Sequence, residues 1–294
     1  MFDAFIYIPE LYSPELKAYI LCIAFILGLC MGSFLNCLSW RSVRHMDIVK
    51  SHSLCPNCKH KLSARDLVPV FSWLFHKGTC RYCDAKISVR YPITELLMGV
   101  VFTSVVYLYG PTFESLQLLI FMGTLLVASL IDLETYTIPN KCIVVALLTR
   151  IAYLLSLCYI SPEYSWFCFK NSLISLLVVG TALIVLALIM DKLLKRPSMG
   201  GGDIKLLAVA AFYFGWKQCI LVVLIACILG IAHGLYWQSK TTTNQTNSCS
   251  SEASTSEEQT PRGSFPWGPS IAFACWIVAL FGAPILNWYI NLFV

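Results

Sequence analysis

Two aspartates lie at the ends of apolar stretches, where a pair of carboxyl groups could hydrolyse a peptide bond. Asp132 follows the apolar run 116–131, and Asp203 follows three glycines and opens the apolar run 204–216. Two carboxyls in contact share one proton, so one can take a proton from water while the other donates to a carbonyl oxygen. An acidic residue in or beside a membrane helix is a functional candidate by default. The pair therefore predicts peptide hydrolysis by activated water.

Each aspartate could instead have a purely structural role. An aspartate at a helix end can cap the next helix. The run Gly200–Gly202 costs backbone entropy, which favours close approach of another backbone, although ordinary loops also contain such runs. A phosphate-binding loop would need Gly-Lys-Ser/Thr, and Asp203 would repel a phosphate. Glu134 is a competing acid, but on a continuing helix it faces away from Asp132.

Four cysteines form two CxxC pairs that predict a zinc site. The pairs are Cys55 with Cys58 and Cys80 with Cys83, and 21 residues separate them. This spacing is typical of a tetrathiolate zinc site, in which four thiolates close a tetrahedron. Such a site stabilises a small domain rather than performing chemistry. Two alternatives remain, namely a redox pair and thiols that bind no metal. A nearby histidine could also replace a cysteine as a ligand, and the candidates are His45, His52, His60 and His76.

The residues that could perform chemistry lie among apolar runs that predict membrane helices. The chain is 57% hydrophobic and 13% charged, whereas soluble domains have roughly 25% charged residues. The first run lacks the basic flank and the cleavage site of a signal peptide, so it is predicted to stay as a helix. We predict an all-α polytopic membrane protein with eight transmembrane helices, near 18–38, 93–109, 116–131, 142–160, 172–190, 204–216, 218–237 and 267–291.

The charge distribution predicts the orientation of these helices in the bilayer. Residues 39–92 contain ten Lys and Arg against three Asp, which by the positive-inside rule places this loop in the cytosol. We therefore predict no nucleic-acid partner for this basic loop. Alternation of eight helices then places both termini outside and both aspartates at the cytosolic edge. Residues 238–266, rich in polar side chains, are predicted to be a flexible cytosolic loop.

Six blocks of sequence, in order, resemble the type IV prepilin peptidase family of GxGD-type membrane aspartyl proteases. The blocks are Gly32–Asn36 with Arg41, the two CxxC pairs with the stretch Pro69–Gly78 between them, Ile87–Pro92 with Glu95, Asp132 with Ile138–Asn140, Gly200–Lys205, and Phe265–Pro269. Trp267 stands where the family frequently has Phe. The resemblance covers most of the chain and divides it into a first transmembrane helix (1–38), a cytosolic zinc-binding loop domain (39–92) and a transmembrane aspartyl peptidase domain (93–294).

The resemblance implies a bifunctional enzyme of the bacterial inner membrane. Its substrates would be prepilins and pseudopilins of type IV pilus or type II secretion systems, cut on the cytosolic side. The new N-terminal residue would then be N-methylated with S-adenosylmethionine. Asp132 and Asp203 carry over as the catalytic pair, and Gly200, Gly202 and Lys205 as motif residues around the second aspartate. No Gly-rich fingerprint for S-adenosylmethionine is present, so no residues are predicted to bind that cofactor.

Two other functions are consistent with the same residues. The chain could be a peptidase only, with a structural zinc module, or a non-enzymatic transporter or scaffold whose aspartates serve an ion path. Transport acids lie near the bilayer midplane on broken helices, whereas these two are predicted at one edge, which favours access by a cytosolic peptide. Glu134 is predicted to pair with the basic leader of that peptide.

Overall fold

The computed structural model describes residues 13–47, 53–55, 57–195, 198–246 and 266–292. Within these ranges the chain forms nine α-helices and no β-strand. A short 3₁₀ helix, Ala64–Leu67, precedes the second α-helix. The helices are α1 (Pro14–Val43), α2 (Phe71–Phe75), α3 (Arg90–Tyr109), α4 (Phe113–Thr135), α5 (Asn140–Ile160), α6 (Pro162–Leu194), α7 (Gly201–Phe214), α8 (Trp216–Thr246) and α9 (Gly268–Asn291).

Among the described residues, six helices are long and apolar enough to cross a bilayer, namely α1, α3, α4, α5, α6 and α9. The helix α7 has 14 residues, and the apolar stretch Trp216–Ala232 within α8 is also shorter than a full span. The predicted all-α polytopic fold is confirmed, and each of the eight predicted apolar runs overlaps one of these eight helices. The number of crossings made by α7 and α8 stays a prediction.

The helix α4 is the centre of the bundle. In its most apolar window 78% of the residues are buried, against 17% in both α5 and α6. Phe121 of α4 stacks on Tyr213 of α7 with ring centroids 4.0 Å apart, and both side chains belong to the main apolar core. Because α5 and α6 turn most of their surface outward, they have the character of lipid-facing helices. The helix that carries Asp132 is therefore enclosed by the rest of the bundle.

Close packing of α1 on α3 explains the first resemblance block. A Cβ added to Gly32 would lie 2.8 Å from Cα of Glu95, so any larger residue would separate the two backbones. The Asn36 amide donates a hydrogen bond to Thr94 Oγ1 at 2.8 Å, and Asn36 is buried. A buried amide needs such a partner, so this bond sets the register of the two helices.

The predicted flexible loop at 238–266 overlaps the end of α8. The helix α8 continues to Thr246, because each added residue of an existing helix forms one more backbone hydrogen bond even without an apolar face to bury. Residues 247–265 of the predicted loop lie outside the described residues.

Candidate active site

The carboxylate of Asp132 is held by the first residue of another helix. Asp132 lies in the last turn of α4 and is only 4% exposed. Its Oδ2 accepts a hydrogen bond from the Gly268 N–H at 2.8 Å. The first N–H groups of a helix have no partner within that helix and carry partial positive charge. The start of α9 therefore orients Asp132 and compensates its negative charge.

Asp203 lies in the first turn of α7, directly after the glycine run. Its N–H donates to Gly200 O at 3.1 Å, and a Cβ added to Gly200 would lie 2.8 Å from Asp203 Oδ2. A Cβ on Gly202 would lie 3.0 Å from Cβ of Ile138, whereas Gly201 has no neighbour within 4 Å. A side chain at the third position would therefore press on Ile138 and one at the first would displace the Asp203 carboxylate, whereas the second position has room for one.

The structure brings Asp132 and Asp203 to the same end of the bundle. The segment after α4 contributes to this arrangement, since Ile138 packs on Gly202 and Asn140 Oδ1 accepts a hydrogen bond from Lys205 Nζ at 3.1 Å. The sequence blocks around the two aspartates therefore form one contiguous site.

Glu134 faces away from this site and pairs with two arginines. Its Oε1 lies 2.6 Å from Arg90 Nη1, and its Oε2 lies 3.3 Å from Arg44 Nη1. Arg90 also donates to Leu130 O at 3.4 Å. Arg44 follows α1 and Arg90 begins α3, so these bonds join the two membrane helices that flank the cysteine module to α4. Glu134 thus has its charge compensated within the chain.

The four predicted cysteines form one cluster, with ligand atoms within 4.8 Å of one another. Cys55 and Cys80 are buried, Cys83 is partly buried and Cys58 is exposed. Tetrahedral zinc needs four ligand atoms that can approach one point, and the cluster supplies them. The His60 ring packs against Tyr82, with centroids 3.8 Å apart, and no described histidine belongs to the cluster.

The two CxxC pairs have the same backbone geometry. Lys59 N–H donates to Cys55 O at 2.9 Å, and Asp84 N–H donates to Cys80 O at 2.9 Å. Both Lys59 and Asp84 have positive φ, at 59° and 52°. The Ala85 N–H and then the Asn57 amide lower the pKa of the Cys83 thiol to about 7. The backbone thus favours thiolate at this position, which is the form that binds a metal.

Asp66 joins the 3₁₀ helix of the module to its second CxxC pair. Its Oδ2 accepts hydrogen bonds from Ser63 N–H at 2.9 Å, Ser63 Oγ at 2.7 Å and Tyr82 Oη at 3.0 Å. Burial opposes ionisation of Asp66, but these hydrogen bonds and the charge of Arg81 outweigh it and lower its pKa below the ordinary value. The ionised carboxylate therefore stabilises the module.

Two contacts in this region could not be predicted from the sequence. Gly268 lies in the resemblance block Phe265–Pro269, but its place before Pro269 indicates only a helix start and not a contact with Asp132. Arg44 and Arg90 contribute to the positive charge of the loop, but their common partner Glu134 follows only from the packing of α1, α3 and α4. By contrast, the four cysteines lie close together in the sequence, and the spacing of the two CxxC pairs predicts the cluster directly.

Two family models match the chain. The bacterial peptidase A24 N-terminal domain matches residues 26–109, and the type IV leader peptidase family matches residues 119–235. The chain belongs to the type IV leader peptidase family. The first match contains the four cysteines and the second contains Asp132 and Asp203, so the candidate site falls in the peptidase domain. Membership of this family makes the chain an enzyme.

Curated relatives align along most of the chain. A prepilin leader peptidase/N-methyltransferase of Bacillus subtilis (strain 168) is 29% identical over 272 residues, covering 92% of this chain and 98% of the relative. A protein of the same name from Myxococcus xanthus (strain DK1622) is 30% identical and covers 78% and 65%. One from Stutzerimonas stutzeri is 28% identical and covers 96% and 97%. No solved structure matches the chain.

Proposed function

We propose that the chain cleaves the basic leader from type IV prepilins and pseudopilins at the cytosolic face of the bacterial inner membrane. The observation that carries this proposal is that Asp132, held by the Gly268 N–H at 2.8 Å, lies at the same end of the bundle as Asp203, whose glycine run packs on Ile138 after α4. The relatives' names supply the class of substrate. The two carboxyls supply the chemistry for its cleavage.

The pair acts by sharing one proton. Two carboxyls that interact in a poorly solvated site do not both ionise readily, and their titration belongs to the pair. One carboxylate removes a proton from water as the water oxygen attacks the scissile carbonyl carbon. The other carboxyl donates a proton to the carbonyl oxygen, which gives a diol. The first carboxyl then passes its proton to the leaving nitrogen while the second takes one back from a diol hydroxyl, so the C–N bond breaks and the pair again holds one proton. The Gly268 N–H keeps Asp132 in place through these steps.

The position of the aspartates favours a peptidase over a transporter. Asp132 lies in the last turn of α4 and Asp203 in the first turn of α7. Both therefore lie at helix ends near one face of the bundle, whereas transport acids lie near the midplane. A site at this level suits a substrate whose apolar helix lies in the membrane and whose leader extends into water.

The same face carries the cysteine module. The ion pairs that Glu134 forms with Arg44 and Arg90 place the two ends of the module beside the end of α4. Residues 39–92 contain ten Lys and Arg against three Asp, so the positive-inside rule favours a cytosolic active site. With eight crossings both termini lie outside.

The cysteine cluster fits Zn²⁺ as a structural metal. Cys55, Cys58, Cys80 and Cys83 would hold it through thiolates, and four protein ligands leave no open position for a substrate or water. Zinc bound there stabilises the module and takes no part in cleavage. The proposal includes N-methylation of the new N-terminal residue with S-adenosylmethionine, on the support of the relatives' names.

The test uses prepilin in liposomes with the wild-type chain, Asp132→Asn and Asp203→Asn. Asparagine keeps the size and polarity of aspartate but cannot hold the shared proton, so we expect both variants to lose cleavage. Methyl transfer from labelled S-adenosylmethionine to pre-cleaved pilin should persist in both variants. Cleavage at the wild-type rate by either variant would exclude the paired-aspartate mechanism. Absence of methyl transfer in the wild-type chain would reduce the function to a peptidase alone.

A further inference from the structure

The helix α2 of the cysteine module has an apolar outer face. Phe71, Leu74 and Phe75 recur at the spacing of one helix face, and they are 54%, 58% and 80% exposed. The preceding Leu67 and Val68 are 42% and 44% exposed. We call these five residues the α2 patch. A contiguous exposed apolar patch of this kind marks a surface that binds something apolar.

A contact with α3 fixes the depth of the α2 patch. The N–H of Val70, the residue before α2, donates to Glu95 Oε2 at 2.7 Å. Glu95 is the sixth residue of α3, so it lies roughly 7 Å along the helix from Arg90. The 20 residues of α3 have about the length that crosses the hydrocarbon core. Val70 therefore lies at the level of the bilayer surface rather than out in the cytosol.

A second contact holds α2 at the same level. The Trp73 indole N–H donates to Ile87 O at 3.2 Å, and Ile87 lies three residues before α3. A Cβ added to Gly78 would lie 2.8 Å from the Trp73 ring, so the chain folds back closely over that ring. Glu95 and Ile87 thus anchor the inner side of α2 to α3 and leave the opposite side exposed.

Positive charges accompany the α2 patch in sequence. Arg65 precedes Leu67, Lys77 follows α2, and both side chains are exposed. Helices that lie in the membrane interface carry Trp, Phe and Leu on the face that enters the bilayer. Exposed Lys and Arg close to the membrane surface attract anionic headgroups. The combination is that of a short interfacial anchor.

We propose that the α2 patch inserts into the bilayer interface on the side of the active site, with Arg65 and Lys77 at the level of anionic phospholipid headgroups. The module is then attached to the bilayer through α2 as well as through α1 and α3. This second attachment holds the module beside the membrane, at the face where the aspartates lie. The proposal rests on membrane embedding and does not depend on proteolysis.

The test uses the full chain in vesicles of phosphatidylethanolamine and phosphatidylglycerol. A photoreactive benzoylphenylalanine replaces Phe75 in one variant and Leu74 in a second, while a control variant carries it at Lys61, an exposed residue beside the first CxxC pair. After illumination, mass spectrometry identifies adducts with phospholipid, with added prepilin and with a second copy of the chain. The readout is adduct identity, so it gives a result even if the chain has no peptidase activity.

We expect phospholipid adducts at positions 74 and 75 and few or none at position 61. Prepilin adducts in place of lipid adducts would identify the patch as a substrate-binding surface and overturn the proposal. Adducts between two copies of the chain would identify a dimer interface and also overturn it. Equal lipid labelling at position 61, or no lipid adduct at 74 or 75, would show that the patch has no preferential contact with the bilayer.

Discussion

Gly268 donates its backbone N–H to Asp132 Oδ2 at 2.8 Å, across 136 positions of the sequence. The contact joins the end of α4 to the start of α9 and leaves no room for a side chain, because a Cβ on Gly268 would lie 2.9 Å from the same oxygen. Gly268 is therefore a positioning residue for the first aspartate.

Gly268→Ala is expected to displace the Asp132 carboxylate. A displacement near 1 Å of a catalytic group costs about 100-fold in rate, so we expect kcat/KM for prepilin cleavage to fall by that order. The matched control is Gly282→Ala, which adds the same methyl group to α9 far along the helix from Asp132. Its Cβ would contact the Val278 side chain at 2.8 Å, so it controls for packing damage within α9. Equal loss in both variants would contradict a specific role for Gly268.

The glycine run before Asp203 is predicted to tolerate alanine at its middle position only. A Cβ at Gly202 would lie 3.0 Å from Ile138, but Gly201 has open space. Gly201→Ala should retain cleavage, because alanine also favours the helix that starts there. Gly202→Ala should lower kcat/KM by about tenfold or more, the loss that corresponds to about 1.4 kcal/mol. Similar rates for the two variants would contradict the close-approach explanation.

The two aspartates stand out in the sequence because acids are rare beside apolar runs, and the four-cysteine cluster because its ligands are paired locally. The contact between Asp132 and Gly268 was not predictable, since it depends on how α4 and α9 pack. The pairing of Glu134 with Arg44 and Arg90 was hidden for the same reason. Its geometry follows from the close approach of α1 to α3, which only the folded chain shows.

The variant Glu134→Gln distinguishes a role of Glu134 in positioning α4 from a role in binding the basic leader of the substrate. Glu134 already pairs with Arg90 at 2.6 Å, so a substrate cation would have to displace an arginine. Both ion pairs of Glu134 are partly exposed, and ion pairs near the surface contribute up to about 1 kcal/mol, so we expect kcat/KM to fall by less than about tenfold. The assay compares a prepilin with its basic leader and a prepilin whose leader Lys and Arg are replaced by Gln. We expect the same fall with both substrates.

A fall in kcat/KM that is confined to the prepilin with the basic leader would instead support the sequence-based prediction that Glu134 pairs with the substrate. Arg90→Lys provides the matched control, because it keeps the positive charge next to Glu134 but loses the second donor to Leu130. It should change cleavage of both substrates to the same extent.

Acid is expected to loosen the cysteine module through Asp66. The pKa of this carboxyl is lowered in the folded chain, so its stabilisation is present above the unfolded value of about 3.9 and is lost as the pH falls through the lower folded value. Hydrogen–deuterium exchange of residues 63–82, corrected for intrinsic rates, should accelerate in that range. In Asp66→Asn the exchange should be faster at neutral pH and lack this acid transition. An unchanged transition would assign it to another group.

Removal of the cluster ligands should separate zinc binding from cleavage. In the double variant Cys55→Ser/Cys80→Ser both buried thiols are lost, so we expect metal content to fall from one Zn²⁺ per chain to near zero and residues 53–88 to become sensitive to protease. Prepilin cleavage should persist, because Asp132 is held by Gly268 of the helical bundle. Cys22→Ser, at an exposed cysteine of α1, is the control and should retain the metal. Zinc content unchanged in the double variant, or a different metal in the wild-type chain, would contradict the proposed site. Loss of cleavage as complete as in Asp132→Asn would show that the metal does more than stabilise the module.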